Sequence, residues 1–143
     1  MHGQLTNMWD HFHHEADIGV LGRGSSREAA FEEAAIALTA VITELDTVRC
    51  RESVTIDCEA PDLELLFVDW LNALVYEMAT RRMLFRRFSV GLDGTRLHAT
   101  ACGEPIEVAR HQPAAEVKGA TYTELEVRED QPGEWHAQCV VDV

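Results

Sequence analysis

The chain has 143 residues, the size of one ordinary domain, able to bury roughly 70% of its unfolded surface without a disulfide scaffold. It carries 25 acidic against 12 basic residues, a formal charge of −13. That balance argues against a large nucleic-acid footprint, since backbone phosphates need clustered Lys and Arg, and fits a protein that works on a basic partner surface. No apolar run reaches membrane-helix length and no secretory leader is recognisable, so a cytoplasmic protein with no membrane contact is expected.

The histidines between His2 and His14 are interrupted and do not form a tag. Residues 8–14 and 18–22 read as two short strands around a turn at 15–17. Gly22-Arg23-Gly24-Ser25-Ser26 precedes a helix but lacks the Lys and spacing of a phosphate loop. Ser25 and Glu28 form a capping box, so a helix starts there. Phe31, Ala34, Ala35, Leu38, Val41 and Ile42 continue at helical spacing. Residues 50–58 alternate, with Cys50, Val54, Ile56 and Cys58 on one face of a half-buried strand.

Pro61 and Asp62 open a second helix. Leu63, Leu66, Phe67, Trp70, Leu71, Leu74, Val75 and Met78 form a core stripe along it. Arg81, Arg82, Arg86 and Arg87 follow, read as cations offsetting the helix dipole. Residues 84–92 and 96–103 are strands joined at Asp93-Gly94, a hairpin signal. Residues 104–115 are a loop around Arg110-His111-Gln112, of a length that is functional or mobile. Residues 116–127 return to strand character, 129–133 turn, and 135–143 close the chain as a strand. Two helices among hairpin-linked strands give the class α+β: two helices packed on one face of a mixed, mostly antiparallel sheet, a two-layer sandwich. One domain spans 1–143. The four cysteines are scattered without a Cys-x-x-Cys pair and read as small reduced residues.

The chemistry concentrates at the two ends of the chain. His13, His14, Glu15 and Asp17 crowd near the start, while Asp142 and Val143 stand at the end. A buried closing strand would gather the Asp142 carboxylate, backbone carbonyls and the carboxylate of Val143. With Asp17 on a neighbouring strand, the anionic oxygens repel unless a cation fills them, and all-oxygen donors favour calcium or magnesium over zinc. The alternative is that Asp17 caps a turn and Asp142 is solvated. His13 and His14 face opposite sides of a strand, so one of them can sit beside Asp17. Lys118 interrupts a small apolar stretch. It either snorkels on a sheet face or contacts an acidic partner or phosphate. Neither a Gly-x-Ser-x-Gly elbow nor a Gly-x-x-x-x-Gly-Lys loop is present.

His14-Glu15-Ala16-Asp17-Ile18-Gly19 resembles the His-Thr-Ala-Asp-Ile opening of the archease family. The resemblance continues in family order through Glu28-Ala29-Ala30-Phe31-Glu32, Leu65-Leu66, Trp70-Leu71-Asn72-Ala73-Leu74, Gly103-Glu104-Pro105, Arg110-His111, Glu116-Val117-Lys118, Ala120-Thr121-Tyr122 and Val141-Asp142-Val143. It implies a non-catalytic activator of an RtcB-type RNA ligase, the enzyme of tRNA splicing and RNA repair, promoting guanylylation and turnover of the ligase. It also implies calcium binding at Asp17, Asp142 and Val143. Lys118, His14 and Glu15 are the expected partner-binding residues. Two positions depart from the family pattern: Glu15 stands where Thr is common, and Thr123 where His often follows Thr-Tyr. Rival readings are a metal-dependent hydrolase using Asp17 and Asp142, and a general protein-binding chaperone.

Overall fold

The structure, a computed structural model, describes residues 8–143; His2 lies outside them. Strands β1 (Trp9–His14) and β2 (Asp17–Gly24) form a hairpin, followed by helix α1 (Arg27–Ile42). A single turn of 3-10 helix (Leu45–Thr47) leads to β3 (Glu52–Glu59) and helix α2 (Leu63–Arg81). The hairpin β4 (Met83–Asp93) and β5 (Arg96–Pro105) follows, then a one-turn helix α3 (Val108–His111). The chain ends with β6 (Gly119–Ala120), β7 (Glu126–Gln131) and β8 (Glu134–Asp142). No helix among the described residues is long and apolar enough to cross a membrane.

The α+β class holds, with the strands divided into two sheets whose pairings are all antiparallel. One sheet runs β1-β2-β8-β6, with β7 also on β8; the other runs β3-β5-β4. The helices join them, because α1 packs on β2 and β8 of the first sheet and on β4 of the second, and α2 also touches both. Gly22 permits the close approach of α1, since a Cβ there would lie 2.2 Å from the carbonyl oxygen of Ala30. Phe31, Leu38, Phe67, Trp70, Leu71 and Leu74 fill the shared core. In the three-stranded sheet the alternation is regular, with Val54, Ile56, Leu97, Ala99 and Ala101 inward and Thr55, Asp57, His98 and Thr100 outward.

Helix α1 is capped one residue later than the sequence suggests. Ser26 is the N-cap and its Oγ accepts the Ala29 amide at 3.0 Å. Glu28 therefore falls in the first turn, where its charge offsets the helix dipole. Helix α2 starts as expected, with Asp62 accepting the Leu65 amide at 2.8 Å. The arginine run is not simply a helix end. Arg81 pairs with Glu77 inside α2 and Arg82 takes a left-handed conformation as its C-cap, but Arg86 and Arg87 belong to β4.

Residues 116–127 are one strand direction broken in two. Both β6 and β7 lie along the same edge of β8, and between them the chain turns at residues 122–125, with Glu124 at φ 55°. Nor is the segment after β5 an irregular loop, since it contains α3 and is pinned by buried ionic groups described below. Cys50 and Cys102, expected to be reduced, are joined as a disulfide with a Cα–Cα distance of 5.0 Å, while Cys58 and Cys139 are free. Their 52-residue separation hides the pairing from any local spacing rule.

Candidate functional site

The hairpin at the start of the chain closes through Glu15 and Ala16, with Glu15 at φ 54°. His14 consequently stands opposite Asp17. Strand β2 then pairs with β8, placing Ile18 opposite Val141. Asp17 precedes Ile18 on β2 and Asp142 follows Val141 on β8, so both lie at the same end of the β2–β8 pair, and Asp142 in turn faces Gly119 of β6. Two register pairs, His14 with Asp17 and Asp142 with Gly119, therefore lie at one end of this sheet. Directly opposed residues of antiparallel strands project to the same face. The two carboxylates, 125 positions apart in sequence, are neighbours only because β2 and β8 pair.

Hydrogen bonds fix this end of the sheet. The Val143 amide donates to Asp17 Oδ1 at 3.3 Å, which fastens the last residue to the opening strand. The Lys118 amide donates to the Asp142 carbonyl at 2.8 Å, so the lysine emerges beside the carboxylate row with its side chain exposed. Asn72 of α2 supports β6 from behind: its Oδ1 accepts the Ala120 amide at 2.8 Å and its Nδ2 donates to the Ala120 carbonyl at 3.4 Å. The sequence reading placed Asn72 in a helix motif without giving it a role. An isolated polar residue within an apolar stripe was the signal available.

Among the described residues, no group of three or more His, Cys, Asp and Glu side chains is placed to hold an ion. Asp17 and Asp142 supply two carboxylates. Val143, whose amide donates to Asp17, is the residue beside them. This donor set is all oxygen and anionic, and it fits a hard divalent ion that keeps several waters. His14 lies opposite Asp17 but turns Nδ1 toward Glu15 Oε2 at 3.7 Å, a pair on which Glu15 is largely exposed. Such a contact contributes little to stability. His13, on the other face of β1, is exposed.

A second polar centre lies apart from this row. Glu104 is fully buried although it sits on the outer face of β5, because the segment carrying α3 folds over it. Arg110 binds both its oxygens, Nη1 to Oε2 at 2.8 Å and Nη2 to Oε1 at 3.0 Å. The Arg49 amide donates to Oε2 at 2.8 Å. His111 is buried too, and its Nδ1 accepts the Glu107 amide at 2.9 Å. Nδ1 is thereby unprotonated, and Nε2 donates to Glu104 Oε2 at 2.9 Å. The Arg110 hydrogen bonds first, then His111 and the Arg49 amide, hold the Glu104 carboxyl well below the usual range against the opposing effect of burial. This network is an anchor for the 104–112 segment, with no nucleophile in it.

The model of the Archease protein family matches residues 9–143. The chain belongs to the archease family. It is 37% identical over 139 residues to "Protein archease" of Pyrococcus abyssi, covering 94% of this chain and 98% of that one. Its identity to "Protein archease" of Methanosarcina barkeri is 34% over 142 residues, covering 94% and 95%. Among solved structures, the solution structure of protein 1598 of Methanobacterium thermoautotrophicum superposes with a TM-score of 0.84 at 30% identity, covering 96% of this chain and all of that one.

In family terms, the motif residues fall into two groups with different work. His14, Asp17, Lys118 and Asp142 meet at one end of the larger sheet, with Asn72 behind them. Glu104, Arg110 and His111 instead form the buried anchor, and so serve the fold. Among the two departures, Glu15 occupies the hairpin turn and is exposed, while Thr123 donates its amide to Thr121 Oγ1 at 3.1 Å in the turn between β6 and β7.

Proposed function

We infer that this archease is a cytoplasmic, non-catalytic activator of an RtcB-type RNA ligase, acting through the acidic edge formed by Asp17, Asp142 and Val143. The observation that supports this reading is the pairing of β2 with β8, which brings Asp17 and Asp142 to one end of the sheet, where the Lys118 amide is bonded to the Asp142 carbonyl. Calcium or magnesium bound there would lend the edge a fixed positive charge able to orient an anionic group of the partner. Asp17 and Asp142 would hold the ion, and the Val143 amide orients Asp17. Lys118, with His14 and Glu15 at the rim, meets the ligase. The edge then binds best to the ligase conformation that accepts guanylate, and so raises the population of that conformation.

The test is ligase–GMP formation over time with labelled GTP and a divalent ion. Substoichiometric archease should speed it without acquiring label. Asp17→Ala and Asp142→Ala should remain folded and lose most of the stimulation, because edge carboxylates contribute little to the core. Unchanged ligase–GMP formation with the wild-type protein would overturn the activator reading. Full stimulation by folded Asp142→Ala would remove the carboxylate edge from the mechanism.

A further inference from the structure

A second charged feature lies away from the acidic edge, at the join of β4, β5 and the loop before β3. Arg49, Arg86 and Arg87 line a cleft of about 550 Å³ together with Cys50 and Asp46. Successive residues of a regular strand point to opposite faces, yet Arg86 and Arg87 line the same cleft. The reason is a bulge. Phe85 pairs with Gly103 and Arg87 with Cys102, so Arg86 is an extra residue without a partner on β5. Bulges of this kind re-aim side chains. Gly103 accommodates the irregularity, since a Cβ there would lie 1.8 Å from the Leu84 carbonyl oxygen.

The third arginine is held in place from the other side. The Arg49 amide is bonded to buried Glu104 at 2.8 Å, the Arg51 amide to the Gly103 carbonyl at 2.9 Å, and Cys50 between them is joined to Cys102. Cys102 is the register partner of Arg87. The loop and the bulged strand are therefore fastened together at the cleft. Among the described residues, no carboxylate within 4.0 Å pairs with Arg49, Arg86 or Arg87. Three carboxylates are near: Asp46 lines the cleft, Glu33 of α1 feels the charge of Arg86 without an ion pair, and buried Glu104, bonded to the Arg49 amide, is already held by Arg110. In a chain with 25 acidic residues, three arginines that line one cleft and are left without a carboxylate ion pair call for an external anion.

We propose that Arg49, Arg86 and Arg87 form a binding site for a compact polyphosphate, either the phosphate chain of a nucleotide or its free inorganic equivalent. Guanidinium forks match phosphate oxygens two at a time, and a di- or triphosphate offers more such oxygens over a longer reach than a single phosphate. A nucleic-acid strand fits less well, because beyond the three cations it would run over a surface of strong negative charge. The site is separate from the carboxylate edge and does not rest on the ligase reading.

The experiment is calorimetric titration of the full chain with inorganic tripolyphosphate, in EDTA so that no divalent ion bridges the ligand to Asp17 and Asp142. Saturable binding is expected. Arg49→Gln and Arg86→Gln should each weaken it about tenfold or more, as loss of a charge-assisted hydrogen bond does. Arg96→Gln, whose parent pairs with Glu59 on the β4–β5 hairpin, should bind as wild type. All three side chains replaced are on the surface or half-buried, and thermal melts without ligand check that the variants fold. Tighter binding of ATP or GTP than of tripolyphosphate identifies a nucleotide as the source, and equal binding identifies the phosphate chain alone. No saturable binding up to the order of millimolar concentrations overturns the proposal. Binding unchanged in Arg49→Gln and Arg86→Gln overturns it too, as does a short single-stranded RNA that outcompetes tripolyphosphate.

Discussion

Trp70 shows how one side chain meets two demands. It has no exposure, its Nε1 donates to the Phe31 carbonyl at 3.0 Å, and its ring meets Phe88 edge-on at 6.1 Å between centroids. Trp70→Ala should cost about 3–5 kcal/mol in chemical denaturation, from lost burial and a cavity; a cost below about 1 kcal/mol would mean α2 is not packed as described. Glu104 carries a different risk. Glu104→Gln keeps the volume but leaves Arg110 with only the exposed carboxylate of Glu107, and should cost about 3 kcal/mol. Because the folded carboxyl is held below its unfolded value, its stabilisation is full above the ordinary carboxyl range and disappears as pH falls toward the folded value. Wild type should therefore lose stability more steeply than Glu104→Gln between about pH 5 and pH 2. Equal slopes in denaturation curves across that range would clear Glu104 of a part in acid sensitivity.

Among the elements, β6 is the least self-sufficient. Two residues cannot hold a strand, and this one is held by pairing to β8 and by the amide of Asn72. It is also what brings Lys118 to the carboxylate row. In Asn72→Ala the Ala120 amide loses its partner, at a cost of about 1–3 kcal/mol. Hydrogen exchange should then show Lys118 and Ala120 losing protection before the rest of the larger sheet, as a local opening does. Protection lost uniformly across β2 and β8 would show that Asn72 supports the whole sheet. The β4 bulge is the opposite case: an element whose irregularity is fixed by Gly103 and by the disulfide beside it.

On the scale of the whole molecule, the Cys50–Cys102 bond closes a loop across 52 residues. Reduction, or Cys50→Ser, should lower stability by about 2–4 kcal/mol. Thiol counting gives a direct check. Burial pushes the Cys58 and Cys139 thiols up to about 11 and about 12, so neither is a ready thiolate at neutral pH. Alkylation after unfolding should find two thiols without reductant and all four with it. Four thiols without reductant would mean the bond does not form in the protein as purified. A reducing compartment opposes such bonds, which makes the redox state of the protein in the cell a property of interest for the arginine cleft as well.

The sequence by itself determined the elements and their inward faces. The α2 stripe, the Asp62 cap, the β4–β5 hairpin and the alternation of β3 are local periodicities and turn chemistries, and each is found where the pattern puts it, save that β3 begins at Glu52 and Cys50 lies exposed before it. The run of family motifs likewise marked the relationship, and its aspartates were visible as candidates. What the sequence left open was everything set by pairing between distant segments. Strand periodicity says which face is buried but not which strand lies alongside, so one sheet and two sheets read alike. The meeting of Asp17 with Asp142, the burial of Glu104 under the α3 segment, the Cys50–Cys102 bond and the shared aim of Arg86 and Arg87 all depend on register. Register is an agreement between two strands, and no single stretch of chain contains it.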